Sequence, residues 1–219
     1  MTFSLLGRCV RTGQFGAAVT TSSIAVGSRV PFVAPGVGGV LTQHRTDPRL
    51  GPRGLALLRS GCTAAETVSA LAHSTPHGGW RQLAALDAAG GTAHHHGAQV
   101  MPALGAAPGR DCISIGNILA NDRVPAAMTA AFEAAADEAL AERLVRALEA
   151  GEAAGGEHGE VRSAALLVMG AESFPLVDLR ADWAPRAVSA LRVLWDEYRP
   201  KVDEFVVRAV DPDAAPGSA

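Results

Sequence analysis

The sequence predicts an α+β fold whose sheets are largely antiparallel, and three observations carry that reading. Strand-like segments in the first half are joined by short turns, which makes a meander and not a βαβ start. The second half is rich in alanine and holds long runs of strong helix formers. The segments follow the order strands, helices, strands, a long helix, strands and helices, as in a layered α+β domain. At 219 residues the chain suffices for one sizeable core. A single domain over 1–211 is expected, followed by a frayed, flexible tail over 212–219.

Residues 3–8 read as a strand, 12–14 as a turn, and 15–22 (FGAAVTTS) as a second strand of small residues that let another layer approach closely. Residues 24–33 and 37–43 are further strand-like pieces around the turn at Pro35 and Gly36. The period then changes: Leu55, Leu57 and Leu58 suit a short helix, and Thr63 with Glu66 forms a capping box that opens another. Residues 80–87 and Thr92–His96 flank a hairpin turn over 88–91, and 112–115 is a short strand. Pro125 opens one long helix predicted to run to residue 150, ended by Gly155 and Gly156. Residues 163–169 and 174–179 are strands, 184–195 is an amphipathic helix, and Val202–Val210 follows Pro200. Val202, Phe205, Val206 and Val210 form an apolar face that packs either on its own domain or in a homodimer.

Composition narrows the function. A hydrophobic fraction of 48%, with 19% charged residues and a net charge of −3, describes an ordinary globular chain. The scattered arginines give no basic patch, so no nucleic-acid partner is expected. No run of about 18 apolar residues exists, so no membrane partner is expected either. No basic start followed by an apolar stretch reads as a secretory signal, and three widely spaced cysteines (Cys9, Cys62, Cys112) fit a reducing, cytoplasmic setting.

Few residues offer chemistry. The triplet His94-His95-His96 suggests metal, but adjacent strand residues face opposite ways, so all three cannot converge on one ion. No metal is therefore expected, and one of them, His95, is placed instead in the wall of a site. No GxSxG elbow, Walker loop or GxGxxG fingerprint is present, and no cofactor is expected; the Gly36 to Gly39 run reads as a bend between strands. Position 2 differs. Methionine is generally removed before a small residue, which would leave Thr2 with a free α-amine beside its hydroxyl at the start of a strand. An α-amine titrates near 7.7–8.0 (roughly), close enough to neutrality to act as the base for its own hydroxyl.

The start Thr2-Phe3-Ser4, the stretch TGQFGAAVTTSSIAVGSRVPFVAPGVGGVLTQ at 12–43, GNILAND at 116–122, AERLVRALEAGEAAGGEHGEVRSAALLV at 141–168 and VDLRADW at 177–183 resemble a known family. It is the family labelled domain of unknown function 1028, grouped with the N-terminal-nucleophile (Ntn) hydrolases. The resemblance spans almost the whole chain. It implies a four-layer αββα sandwich and hydrolysis of an amide-type bond by the N-terminal residue. The chain departs from the family pattern at Leu41 and His44 around Thr42-Gln43, at His95-His96, and at Glu157-His158-Gly159, where the specificity could differ.

The expected site follows. Thr2 is the nucleophile, with its own amine as base. Asn117 either donates to the developing oxyanion or caps a turn. Ser22, Ser23, Thr42 and Gln43 either orient substrate or satisfy sheet ends. Arg29, an isolated charge in an apolar stretch, binds a substrate carboxylate or pairs with Asp178 or Asp182. The expected reaction is hydrolysis of a small-molecule amide, ureide or lactam-like C–N bond. The alternative is a non-catalytic protein on the same fold that binds a small metabolite or serves as a scaffold.

Overall fold

The computed structural model describes residues 1–216. They form a mixed α+β fold built on two antiparallel sheets. The strands are β1 (Thr2–Arg8), β2 (Phe15–Thr21), β3 (Pro31–Ala34), β4 (Gly38–His44), β5 (Arg81–Asp87), β6 (Thr92–His96), β7 (Gly105–Gly109), β8 (Cys112–Asn117), β9 (Ser163–Met169) and β10 (Pro175–Ala181). One sheet has the order β10-β9-β2-β1-β8-β7, the other β3-β4-β5-β6. The helices are α1 (Leu50–Arg59), α2 (Ala64–His73), α3 (Val124–Ala134), α4 (Leu140–Ala153), α5 (Ala187–Tyr198) and α6 (Val202–Val210).

Strand alternation divides the core into three clusters. Phe3 and Leu5 of β1 pack with Met128, Phe132, Leu144, Leu148 and Leu191 of α3, α4 and α5. Leu6, one residue on, joins Val19, Leu41, Leu86 and Ile115 between the two sheets. Val40 and Leu83, on the far face of the second sheet, pack with Leu58, Val68 and Leu71 of α1 and α2. A central strand such as β1 is thus covered on both sides, and its residues Thr2 to Gly7 are buried. The small residues of β2 serve the close approach expected of them: a side chain at Gly16 would come within 2.7 Å of Leu144 Cδ1 and 2.9 Å of the Leu167 carbonyl.

Three segments differ from expectation. Residues 24–33 are not one strand. After a left-handed Ala25 the chain makes a 3-10 turn, Val26–Ser28, and only Pro31–Ala34 is extended. This is the crossing from one sheet to the other, and Ser163 ties it down, its Oγ accepting from Val26 N (3.1 Å) and donating to the Ser23 carbonyl (2.6 Å). The long helix over 126–150 is two helices, α3 and α4, with a break between them. An unbroken helix of that length would reach about 38 Å, against about 23 Å for the seven-residue strands beneath it. Arg11 fixes the break by donating to the carbonyls of Ala136, Asp137 and Glu138 (3.3, 2.9 and 2.9 Å). Strand β7 (GAAPG) has no sequence signal, since Gly, Ala and Pro disfavour strands; as an edge strand it tolerates them.

Helix α6 buries none of its residues, and Phe205 and Val210 stay partly exposed. Of the expected tail, Pro212–Ala214 forms an exposed 3-10 turn, and residues 217–219 lie outside the described residues. Among the described residues no helix is long and apolar enough to cross a membrane.

Candidate active site

Thr2 begins β1 in the middle of the six-stranded sheet, where β1 lies between β2 and β8. With Ser4 and Leu6 it faces the second sheet. Its hydroxyl lies 3.2 Å from Thr21 Oγ1 at the end of β2, and both hydroxyls donate to the Met1 carbonyl. Thr2 is 6% exposed and borders a small cavity of about 110 Å³ lined by Met1, Thr21, Ser22, Ser23, Val26, Arg29, Val30, His44 and Thr46. The crossing after β2 brings Ser22 to Val30 over the N-terminus, and the end of β4 brings His44.

Beneath the cavity, side chains from both sheets form a buried polar network. Ser4 Oγ donates to Gln43 Oε1 (2.6 Å), and Gln43 Nε2 donates to Gln82 Oε1 (2.7 Å). Asn117 Nδ2 donates to the same Gln82 oxygen (2.8 Å), and Gln82 Nε2 donates to the Gly116 carbonyl (2.7 Å). The Gly116 carbonyl can only accept, so it fixes the orientation of Gln82, and Gln82 then fixes its two partners. One Asn117 N–H is therefore committed, the second remains, and Oδ1 is buried without a partner among the described residues. Asn117 is the last residue of β8, opposite Thr2, and not a turn cap.

The second charged group at this corner is Glu157. A turn through Gly155 (φ 123°) and Gly156 (φ 57°) delivers it, a conformation that favours glycine at both positions. The Ala120 N–H donates to the Gly156 carbonyl (2.9 Å) and Glu157 bridges to Leu119, which pins the turn beside the end of β8. Glu157 is 7% exposed; Oε2 accepts from Ser22 N (3.2 Å), and among the described residues Oε1 has no partner. Burial pushes its carboxyl up to about 7, opposed by the nearby N-terminal amine and the Ser22 hydrogen bond. The Met1 amine is shifted down, first by burial, while the Glu157 charge pulls the other way.

The expected site residues sort by strand parity. Thr2, Ser22, Ser23 and Arg29 meet at the cavity, and Gln43 and Asn117 lie in the network below. Thr42 does not join them. It pairs with Leu83 on the opposite face of the second sheet, where its hydroxyl donates to the Asp47 carbonyl (3.3 Å). His95 is also misplaced by the sequence reading: paired with Leu83, it faces α2, next to Val68 and Ser69. His96, opposite Gln82, has the face towards the first sheet. Arg29 pairs with neither Asp178 nor Asp182; Asp178 is taken by Arg180 (2.9 and 3.0 Å). Sequence reasoning gave no role to Thr21, Gln82 or Thr46. His44 and Glu157 stood out only as departures from the family pattern.

A larger cavity, about 550 Å³, lies at the other end of β1 around Arg8, Cys9, Arg11 and Arg143. It contains no hydroxyl nucleophile beside a base. The smaller, polar cavity brings the Thr2 hydroxyl together with the Thr21 hydroxyl, His44 and Arg29.

The family described as "Family of unknown function (DUF1028)" matches residues 2–191. A crystal structure of a protein from Silicibacter pomeroyi, assigned to that same family, is 32% identical with a TM-score of 0.84, covering 90% of this chain and 88% of its own. The ancestral beta-subunit Anbu from Yersinia bercovieri is similar at 11% identity and a TM-score of 0.40, covering 99% of each chain. None of the curated proteins matches.

Proposed function

The chain belongs to the DUF1028 family, and from that premise we propose that it is an Ntn-type hydrolase that cleaves a small amide, ureide or lactam-like C–N bond with Thr2, once Met1 is removed. One observation carries the reading: the Thr2 hydroxyl, at the head of a central strand, borders a polar cavity beside a second hydroxyl and a buried carboxylate. The stacking of helices, two antiparallel sheets and helices, seen in the three core clusters, supports the αββα sandwich that this reading assumes.

Excision of Met1 has two chemical consequences. It takes away the carbonyl to which Thr2 and Thr21 both donate, which frees the hydroxyls towards the opened cavity. It also creates an α-amine on Thr2 within reach of its own Oγ1. The amine accepts the hydroxyl proton as Oγ1 attacks the carbonyl carbon. The C–N bond then breaks, the amine proton passes to the leaving nitrogen, and Thr2 is left as an ester. Water hydrolyses the ester, releasing the acid and restoring the hydroxyl. The remaining N–H of Asn117 is the candidate donor to the oxyanion, and the buried Glu157 sets the charge around the amine.

Replacement of the nucleophile tests this reading. A Thr2→Ala protein screened beside the wild type on amides and ureides is expected to lose turnover by at least about a thousandfold. Turnover unchanged by Thr2→Ala refutes the proposal and places the nucleophile elsewhere in the chain, whereas no turnover by the wild type favours a metabolite-binding role.

A further inference from the structure

We infer that the molecule cleaved at Thr2 carries a carboxylate and that Arg29 holds it, an inference that rests on Thr2 being the nucleophile. Arg29 is the single arginine or lysine lining the Thr2 cavity, and among the described residues no Asp or Glu pairs with it. Its guanidinium is held instead by neutral acceptors. Nη1 donates to the carbonyls of Ile24 and Ala25 (the latter at 2.7 Å), and Nη2 donates to Ser23 Oγ (2.5 Å). These bonds fix the guanidinium plane without cancelling its charge. They use three of its five N–H groups and leave two.

A cation that has lost part of its water and gained no counter-ion costs stability, and burial does depress Arg29 below its usual range. An anion arriving in the cavity supplies the missing partner. A planar carboxylate suits a planar donor group better than a spherical ion does. The rest of the cavity fits the same ligand. Thr21, Ser22, Ser23 and Thr46 offer hydroxyls, and the other titratable groups near it are His44, the N-terminal amine and Glu157. Glu157 is the one acid among them, and its raised pKa limits its repulsion of a second carboxylate. The substrate class is thus a small amido- or ureido-carboxylate, docked by its acid at Arg29 with its C–N bond at Thr2.

The test uses full-length protein lacking Met1 and a neutral label, 4-nitrophenyl acetate, with acetyl on the Thr2 peptide read by mass spectrometry. N-Acetylglycine and N-acetylglycinamide, which differ by one charge, are compared as protectants, each as the ratio of labelling rates with and without the compound. The acid is expected to protect about tenfold more tightly than the amide, to lose that preference in Arg29→Gln, and to weaken with added salt. Equal protection by acid and amide, or a preference that survives Arg29→Gln, overturns the inference and leaves the nucleophile standing. No acetyl on Thr2, together with 4-nitrophenol release no faster than from Thr2→Ala, overturns the nucleophile and this inference with it. Should Arg29→Gln fail to fold, Arg29→Lys, which keeps the charge but not the fork, is expected to retain a weakened preference. A wild type indifferent to the charge then refutes the inference by itself.

Discussion

At the scale of single residues, the account turns on groups that are buried and only partly satisfied. Glu157 is the sharpest case, a carboxylate 7% exposed with one oxygen unpartnered. Its carboxyl titrates near 7 in the folded protein against an ordinary 4.5, so the folded state holds the proton more tightly than the unfolded chain. The stability this contributes is fully present below the ordinary carboxylate range and is lost as pH rises towards 7. Melting temperatures across that window should therefore fall for the wild type and stay flatter for Glu157→Gln; parallel profiles would show that the carboxyl is not perturbed. Thr21 makes a second prediction. Thr21→Val keeps the shape and deletes the hydroxyl 3.2 Å from Thr2 Oγ1, and acylation of Thr2 is expected to slow about tenfold, the worth of one hydrogen bond. An unchanged rate would remove Thr21 from the site.

At the scale of elements, what matters is how helices and strands are tied to the sheet that carries Thr2. Helix α4 is joined to α5 through Glu142, which accepts from Arg192 (2.8 and 3.2 Å), Arg146 (2.7 Å) and Trp195 Nε1 (2.8 Å). Burial would raise the Glu142 carboxyl, but these bonds outweigh it and hold it down at about 2. A depressed carboxylate contributes stability above the ordinary range and loses it as pH falls through the folded value. Glu142→Gln should thus lack much of the wild type's loss of stability between about pH 4.5 and 2. Glu142→Ala, which leaves the buried Trp195 N–H without an acceptor and Arg192 with Glu149 and Asp196 as its remaining acids, is expected to cost about 2 kcal/mol in denaturant unfolding at neutral pH. A loss under about 0.5 kcal/mol would show the network to be ornamental. Elements were also where the sequence was most legible: the capping box at Thr63 and Glu66 is present on both sides, and β1, β2, β5, β6 and β9 lie within a residue or so of their expected bounds. The break between α3 and α4 was not legible, because Arg11, more than a hundred residues away, makes it. Strand β7 was hidden because pairing with β8, not its own composition, makes it extended.

At the scale of the whole molecule, two sheets bring together residues that no local motif connects. Thr2 could be singled out from its position, and Ser22, Ser23 and Arg29 from their neighbourhood. Thr42 and His95 could not be placed, because a strand's period reveals which residues share a face but not which face meets the other sheet. Glu157 reaches the N-terminus only through the glycine turn after α4 and its bridge to Leu119. The site therefore depends on both sheets and on all three thirds of the chain at once. The proposed chemistry depends further on a covalent event, the loss of Met1. The most direct measurement is the intact mass of protein expressed with a native N-terminus. The account predicts a mass short of one methionine, with Thr2 as the first residue and its amine free. Met1 retained throughout an active preparation would deny Thr2 its base and contradict the central claim.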